Sequence, residues 1–291
     1  MLLCSLCRLL AFLLYFCLAI NLKVPQARPQ CSMEFTLDEM REHLAALEAR
    51  IDEACKIAGR SRDSVKLVWV SKFHPAEAVV NAISLGATDF GENRVQEAEL
   101  KFSEPRKALD GSRVRCHVIG PVQSNKLKKA ALVADCIHSI ASIEAVEKLE
   151  KVCASQGKVL DILFQVNAGE EETKSGLDVH EAEAFLEDLE KRAGAAVDGK
   201  SENFPHLRFR GLMTIGKNTG VAEDSRECFA FLRGLQQKFL ARGGAFAKFD
   251  QLSMGMTGDL EVAIEEGSTM IRVGTALFGE RDYSKPVNDP V

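Results

Sequence analysis

Val65-Lys66-Leu67-Val68-Trp69-Val70-Ser71-Lys72 is a run of β-branched and aromatic residues that ends in a lysine and is stopped by Phe73-His74-Pro75. Such a run reads as a buried strand. Side chains alternate along a strand, so Lys66, Val68, Val70 and Lys72 share one face, and Leu67, Trp69 and Ser71 share the other. Lys72 then stands at the strand's carboxyl end, on the face of the two valines. A lysine held against apolar neighbours loses proton affinity, because desolvation disfavours its charged form. A neutral amine attacks aldehydes and forms a Schiff base. Taken alone, the stretch favours the plainer reading, a lysine marking the strand's exit into water.

Outward from that strand, helix and strand alternate. Upstream, Thr36-Leu37-Asp38-Glu39 is a capping box. Met40, His43, Leu44, Leu47, Ile51, Ala54 and Ile57 then recur at helical spacing until Gly59. Downstream, 75–85 reads as an amphipathic helix closed by Gly86, 88–93 as a short strand and loop, and 94–102 as a polar helix. Further strands are expected over 115–120, 135–140, 159–167, 207–215, 249–254 and 270–278. Helices are expected over 142–156, 180–192, 222–242 and 260–266. The segment 194–203 carries no apolar period and reads as a polar, mobile surface loop. Eight strands separated by helices predict a single (β/α)8 TIM barrel of the α/β class. A doubly wound sheet needs a Gly-rich first crossover, and Ser71-Lys72-Phe73-His74-Pro75 offers no glycine.

With 291 residues, 46% of them hydrophobic, the chain can bury one sizeable core. A net charge of -5 gives no basic footprint for nucleic acid. The blocks Lys126-Leu127-Lys128-Lys129 and Glu170-Glu171-Glu172 read as solvated faces. Nine cysteines is an odd count, and Cys55, Cys136 and Cys153 fall in or beside apolar runs. A reducing compartment fits this better than a disulfide framework. Cys4-Ser5-Leu6-Cys7 has no second pair, and the six histidines show no metal-ligand spacing, so no metal site is expected.

Residues 1–32 differ from the body over 33–291. Arg8 precedes an apolar run over 9–20, and a polar, proline-bearing stretch follows over 21–32. The run has the length of a signal-peptide core and is too short to span a bilayer unaided. No A-x-A site follows it, and the body has no N-x-S/T acceptor. Two readings stand, a targeting or anchoring leader and an over-extended gene start. The body is expected in the cytoplasm, with a membrane or secretory role only if the leader is genuine.

Active sites of barrels lie at the carboxyl ends of the strands, and phosphate often binds after strands 7 and 8. Ser253-Met254-Gly255-Met256-Thr257-Gly258-Asp259 and Arg272-Val273-Gly274-Thr275 occupy those positions. Both offer small residues, hydroxyls and backbone amides suited to a phosphate dianion. Arg272 interrupts an apolar strand, and a buried guanidinium without a partner is costly. It therefore pairs with a buried carboxylate or with a ligand. His117 either faces the site from the third strand or is a core histidine with one hydrogen bond. Gly211-Leu212-Met213-Thr214-Ile215-Gly216-Lys217 has P-loop spacing, but Asn218 stands where Ser or Thr is required.

From about residue 33 to 285 the chain resembles the pyridoxal 5′-phosphate (PLP) homeostasis protein family, the proline synthase co-transcribed homologues. The resemblance rests on Val70-Ser71-Lys72, Phe90-Gly91-Glu92-Asn93-Arg94-Val95-Gln96-Glu97 and His117-Val118-Ile119-Gly120-Pro121-Val122-Gln123-Ser124-Asn125-Lys126. It continues through Lys174-Ser175-Gly176, Arg210-Gly211-Leu212-Met213, Leu252-Ser253-Met254-Gly255-Met256 and Gly267-Ser268-Thr269-Met270-Ile271-Arg272-Val273-Gly274-Thr275. It implies a barrel like the alanine racemase N-terminal domain, PLP fold type III, with Lys72 carrying PLP covalently as a Schiff base. Ser253, Met254, Gly274 and Thr275 would hold the phosphate, Arg272 would face the pyridine nitrogen, and Asn93 and Met213 would line the ring. A permanent charge at that nitrogen disfavours its protonation and makes the ring a weaker electron sink.

The family resemblance implies a monomer that stores, buffers or delivers PLP, with PLP-dependent apo-enzymes as partners and no turnover of its own. The alternative is an amino-acid racemase on the same fold. Racemisation needs a second acid/base, which the related racemases take from a tyrosine of an additional domain. Here the only tyrosines are Tyr15 and Tyr283. A Schiff-base aldolase barrel is the reading outside PLP chemistry.

Overall fold

Helix α1 (Leu37–Ile57) opens at the expected capping box. The Thr36 hydroxyl accepts from the Glu39 amide at 3.2 Å, and the Glu39 carboxylate accepts from the Thr36 amide at 2.8 Å. The computed structural model describes residues 36–103, 114–171 and 174–279, all within one compact unit spanning Phe35–Val291. The leader read over 1–32 and both tyrosines lie outside the described residues.

Among the described residues, eight parallel strands close a barrel in chain order. They are β1 (Lys66–Val70), β2 (Asp89–Glu92), β3 (Arg115–Val118), β4 (Cys136–Ile140), β5 (Leu160–Asn167), β6 (Leu207–Met213), β7 (Gln251–Ser253) and β8 (Met270–Val273). Neighbours in sequence are neighbours in the sheet, and β1 pairs β8 with Val68 opposite Arg272, which closes the ring. The intervening helices are α2 (Ala76–Ser84), α3 (Val95–Ser103), α4 (Leu127–Val133), α5 (Ile143–Gln156), α6 (Ala182–Ala193), α7 (Arg226–Leu240), α8 (Leu260–Glu265) and α9 (Thr275–Phe278). The TIM barrel expected from the strand count is the fold observed.

Two apolar layers follow from strand alternation. Val68, Cys136, Leu163, Met213 and Met270 pack inside the barrel, while Trp69, Phe90, Phe164 and Phe209 face the helices. Val68 and Trp69 thus fall on opposite faces of β1, as the alternation of that stretch requires. Cys55, Cys136, Cys153 and Cys228 are buried free thiols. No helix of the described residues is long and apolar enough to cross a membrane.

Two expectations need correction. The run over 270–278 is not one strand: β8 stops at Val273, and α9 starts after Gly274. A short apolar run has no period that separates strand from buried helix; here Phe278 turns back to meet Trp69 edge-on at 5.9 Å. The segment 194–203 is a small antiparallel ladder, Ala196–Val197 with Lys200–Ser201. Its turn residues Asp198 and Gly199 both take positive φ, 49° and 77°, and Asp-Gly is a hairpin signal. The lysine block at 126–129 is a solvated face, as expected: α4 starts at Leu127 and buries Leu127, Ala130, Ala131 and Val133, while Lys128 and Lys129 stay in solvent.

Candidate functional site

A cavity of about 560 Å³ opens at the carboxyl ends of the strands, a size suited to a small-molecule ligand. Val70 and Lys72 enter it from the end of β1, Asn93 from the loop after β2, and Ile119 and Gly120 from the loop after β3. Gln165 comes from β5, Met213 from β6, and Arg272, Gly274 and Thr275 from β8 and the start of α9. Lys72, Asn93, Met213, Arg272, Gly274 and Thr275 were each expected at one site, and they line one cavity.

The backbone on both sides of Lys72 is held from behind by a buried ionic cluster. Lys101, 3% exposed, donates to the Ser71 carbonyl at 2.6 Å and to the Glu92 carboxylate at 2.9 Å, and approaches Glu97 at 3.4 Å. The Ser71 hydroxyl donates to Glu92 at 2.6 Å, and the Phe73 amide donates to Glu97 at 2.9 Å. Phe73 sits at φ 66°, a conformation a bulky residue adopts only when its surroundings impose it. Burial raises the Glu92 carboxyl to about 7, against the pull of the Lys101 ammonium and the Ser71 hydroxyl. Glu97, a second carboxylate on the same amine, pushes in the same direction as burial.

Asn93 is positioned by a close approach. A Cβ on Gly120 would lie 2.4 Å from the Asn93 carbonyl oxygen, so only glycine lets the loops after β2 and β3 touch. The Ser139 hydroxyl, donating to the Gly120 carbonyl at 2.7 Å, fixes the second loop.

Arg272 is buried at the floor of the cavity. Its Nη1 donates to the Ser253 hydroxyl and its Nη2 to the Thr214 carbonyl, both at 2.8 Å. The buried carboxylate considered as its partner is not there: among the described residues, the ion pairs do not include Arg272, and Asp259 acts only through space. Burial lowers the guanidinium to about 10, which still leaves it charged near neutrality.

Ser253 and Met254 depart from expectation. Neither lines the cavity. The Ser253 side chain is fully buried and engaged by Arg272 and His138, and Met254 packs into the outer apolar layer. Met256, Thr257, Gly258 and Asp259 line the cavity in their place. Gly255, at φ 95°, turns the chain into that loop; a Cβ there would strike the Ala263 Cβ at 2.6 Å. The Asp259 carboxylate accepts from the Met256 amide at 2.6 Å and closes the loop on itself. His117 does not face the cavity either: it is buried, with two ring contacts rather than one.

Gln165, Lys174 and Lys217 also line the cavity and were not singled out as site residues. Lys174 donates to Glu171 at 2.5 Å and to the Gly216 carbonyl at 2.6 Å. The Lys174-Ser175-Gly176 motif was the available signal for it. Gln165 stands in a strand context that marks nothing, and Lys217 stood out only as the end of the P-loop-spaced stretch that Asn218 breaks.

An amine at a strand end, a buried cation across the cavity and a glycine- and hydroxyl-bearing rim together fit a phosphorylated aldehyde such as PLP. The model of the alanine racemase N-terminal domain matches residues 43–282. A pyridoxal phosphate homeostasis protein of Vibrio alginolyticus is 41% identical over 244 residues, covering 84% of this chain and 97% of that protein. The structure of PipY from Synechococcus elongatus with PLP bound is 33% identical and covers 82% of this chain and 100% of that one, with a TM-score of 0.65. An alanine racemase of Clostridium difficile, at 15% identity and a TM-score of 0.63 over 58% of its length, shares the fold alone. The chain therefore belongs to the alanine racemase N-terminal-domain family and, within it, to the pyridoxal phosphate homeostasis proteins.

Proposed function

We propose that this cavity binds pyridoxal 5′-phosphate and that the protein works in PLP homeostasis, storing, buffering or delivering the cofactor without turnover. The observation that carries the reading is the placing of Lys72 and Arg272 in one cavity at the strand ends. When bound, the cofactor supplies an aldehyde that condenses with amines and a ring that draws electron density. Lys72 would hold it covalently. Arg272 would face the pyridine nitrogen, where its fixed charge would disfavour a proton. Asn93 and Met213 would flank the ring, while Gly274, Thr275 and the 256–258 loop would hold the phosphate. Ser253 and Met254 act one layer below, through the position of Arg272 and of that loop.

Support for PLP comes from the relatives' names and from the PLP-bound PipY. A carrier is favoured over a racemase because the related racemases use a tyrosine as second base, and the two tyrosines here are Tyr15 in the apolar leader and Tyr283 in the tail. The carrier works as a monomer, hands PLP to apo-enzymes, and resides in a reducing, cytoplasmic compartment suited to its buried thiols. The test loads the protein with PLP, removes free cofactor, and adds an apo-enzyme together with L-alanine. Recovery of the apo-enzyme's activity with no loss of the alanine's optical rotation is expected. Racemisation at a steady rate contradicts the carrier reading.

A further inference from the structure

A line of hydrogen bonds crosses the barrel interior from its amino end to Arg272. Asp89 on β2 meets the Nε2 of His117 at 2.9 Å, and the Nδ1 of His117 meets the Nε2 of His138 at 2.9 Å. The Nδ1 of His138 meets the Ser253 hydroxyl at 2.9 Å, and Ser253 receives Arg272 at 2.8 Å. Lys66, at the barrel's base, donates to Asp89 at 3.0 Å, and so does the Thr88 hydroxyl at 2.8 Å.

With Asp89 ionised and both imidazoles neutral, one arrangement of protons satisfies every contact on this line. Burial opposes an ionised Asp89, but the hydrogen bond from His117 and the Lys66 ammonium outweigh it and hold the carboxyl well below its usual range. An ionised carboxylate only accepts, so His117 donates from Nε2. Burial favours the neutral form of both imidazoles. A neutral His117 then accepts at Nδ1, His138 donates from Nε2 and accepts at Nδ1, and Ser253 donates its only hydroxyl proton to His138. What Ser253 has left is acceptor capacity, and the Arg272 guanidinium donates to it. Followed from donor to acceptor, the line runs from the Arg272 cation to the Asp89 anion, so every dipole in it points the same way.

We propose that Asp89, His117, His138 and Ser253 are positioning residues for Arg272, a one-way relay that commits the Ser253 oxygen to accept from the guanidinium and fixes its plane at the cavity. In this arrangement the Ser253 hydroxyl has given its proton to His138 and has none to donate to a phosphate. It is not a proton wire, because an arginine does not release its proton in a protein. Nor is it a metal site, although His117, Cys136 and His138 bring two nitrogens and a sulfur within 4.8 Å of one another. Zinc with bonds of about 2.0–2.1 Å would hold tetrahedral nitrogens about 3.3 Å apart, farther than this hydrogen bond allows.

The effect on cofactor rests on the PLP reading above; the proton arrangement does not. Nitrogen NMR of the ligand-free full chain, labelled at histidine, tests the arrangement directly. Both imidazoles neutral and protonated at Nε2 are expected at pH 7, and an imidazolium or an Nδ1–H form at either position overturns the relay. PLP titration then compares His138→Phe, Ser253→Ala, the double variant and Cys136→Ala. Each relay variant is expected to hold PLP about tenfold more weakly, with a displaced visible absorbance maximum. The double variant should be no weaker than Ser253→Ala, because the line is already broken. Cys136→Ala should match the unaltered protein. Additive losses, an unmoved maximum, or bound zinc lost equally on Cys136→Ala and His138→Phe would sink the proposal. If His138→Phe does not fold, Ser253→Ala and the NMR measurement decide. A chain that binds no PLP refutes the cofactor reading and is told apart by an NMR result that still stands.

Discussion

Lys72 owes its place to the residues on either side of it. The Ser71 carbonyl and the Phe73 amide are tied down by Lys101 and Glu97, so the one residue between them points from a fixed stem. Lys72 lies at the cavity and outside the core, so Lys72→Ala should abolish covalent PLP and leave the thermal midpoint nearly unchanged. A global loss of folding in a thermal melt would contradict that placement. Arg272→Ala is a different case. It strips the donor from two buried acceptors, costing about 1–3 kcal/mol of stability, and should lower PLP retention at least tenfold. Unchanged occupancy would make Arg272 merely structural. At this scale the sequence revealed a good deal. A lysine ending a β-branched run and an arginine interrupting one are legible because each breaks an apolar pattern. The duty of Ser253 was not legible. Its hydroxyl direction is set by His138, 115 residues away, and no local spacing encodes that partner.

Among the elements, β2, α3 and the end of β1 meet on the buried Glu92, Glu97 and Lys101. Removing the cation alone leaves two carboxylates enclosed together, so Lys101→Met should cost about 3–5 kcal/mol, read as a fall in the urea midpoint. Glu92 gives the cluster a pH dependence. Its carboxyl keeps a proton to about 7 when folded, against an ordinary 4.5. Between those values the folded chain binds more protons than the unfolded one, so stability from this group is full below pH 4.5 and lost as pH rises through about 7. Lys101 and Glu97 are the charges that face it, the first opposing the shift and the second adding to it. Glu92→Gln should flatten the stability profile across that window; an unaltered slope would show that Glu92 is already ionised. Gly120→Ala should push Asn93 out of place, costing about 1–3 kcal/mol and weakening PLP binding, because the new methyl meets backbone rather than a movable side chain. Element types were legible wherever a period ran long enough. The change from strand to helix at Gly274 was not, because eight apolar and small residues carry no period of their own.

At the scale of the molecule, ring closure brings the distant ends of the chain to one site. β1 and β8 pair, so Lys72 and Arg272, 200 residues apart in sequence, face one cavity. The count and spacing of strands made this barrel legible, since a parallel sheet with helices between all its strands has few ways to bury both faces. Ligand binding to the folded chain alone should stabilise the whole barrel: PLP at 100 times its Kd adds about 2.7 kcal/mol. Lys72→Ala should lose most of that gain, and an equal gain in both chains would put the cofactor elsewhere. The most direct test of Lys72 as the covalent site is reduction of the PLP-loaded protein with borohydride, followed by mapping of the modified peptide. A single pyridoxyl group on the peptide containing Lys72, with the visible band gone, is the expected result. A label spread over surface lysines, or no label, contradicts the assignment and leaves a barrel whose ligand has yet to be found.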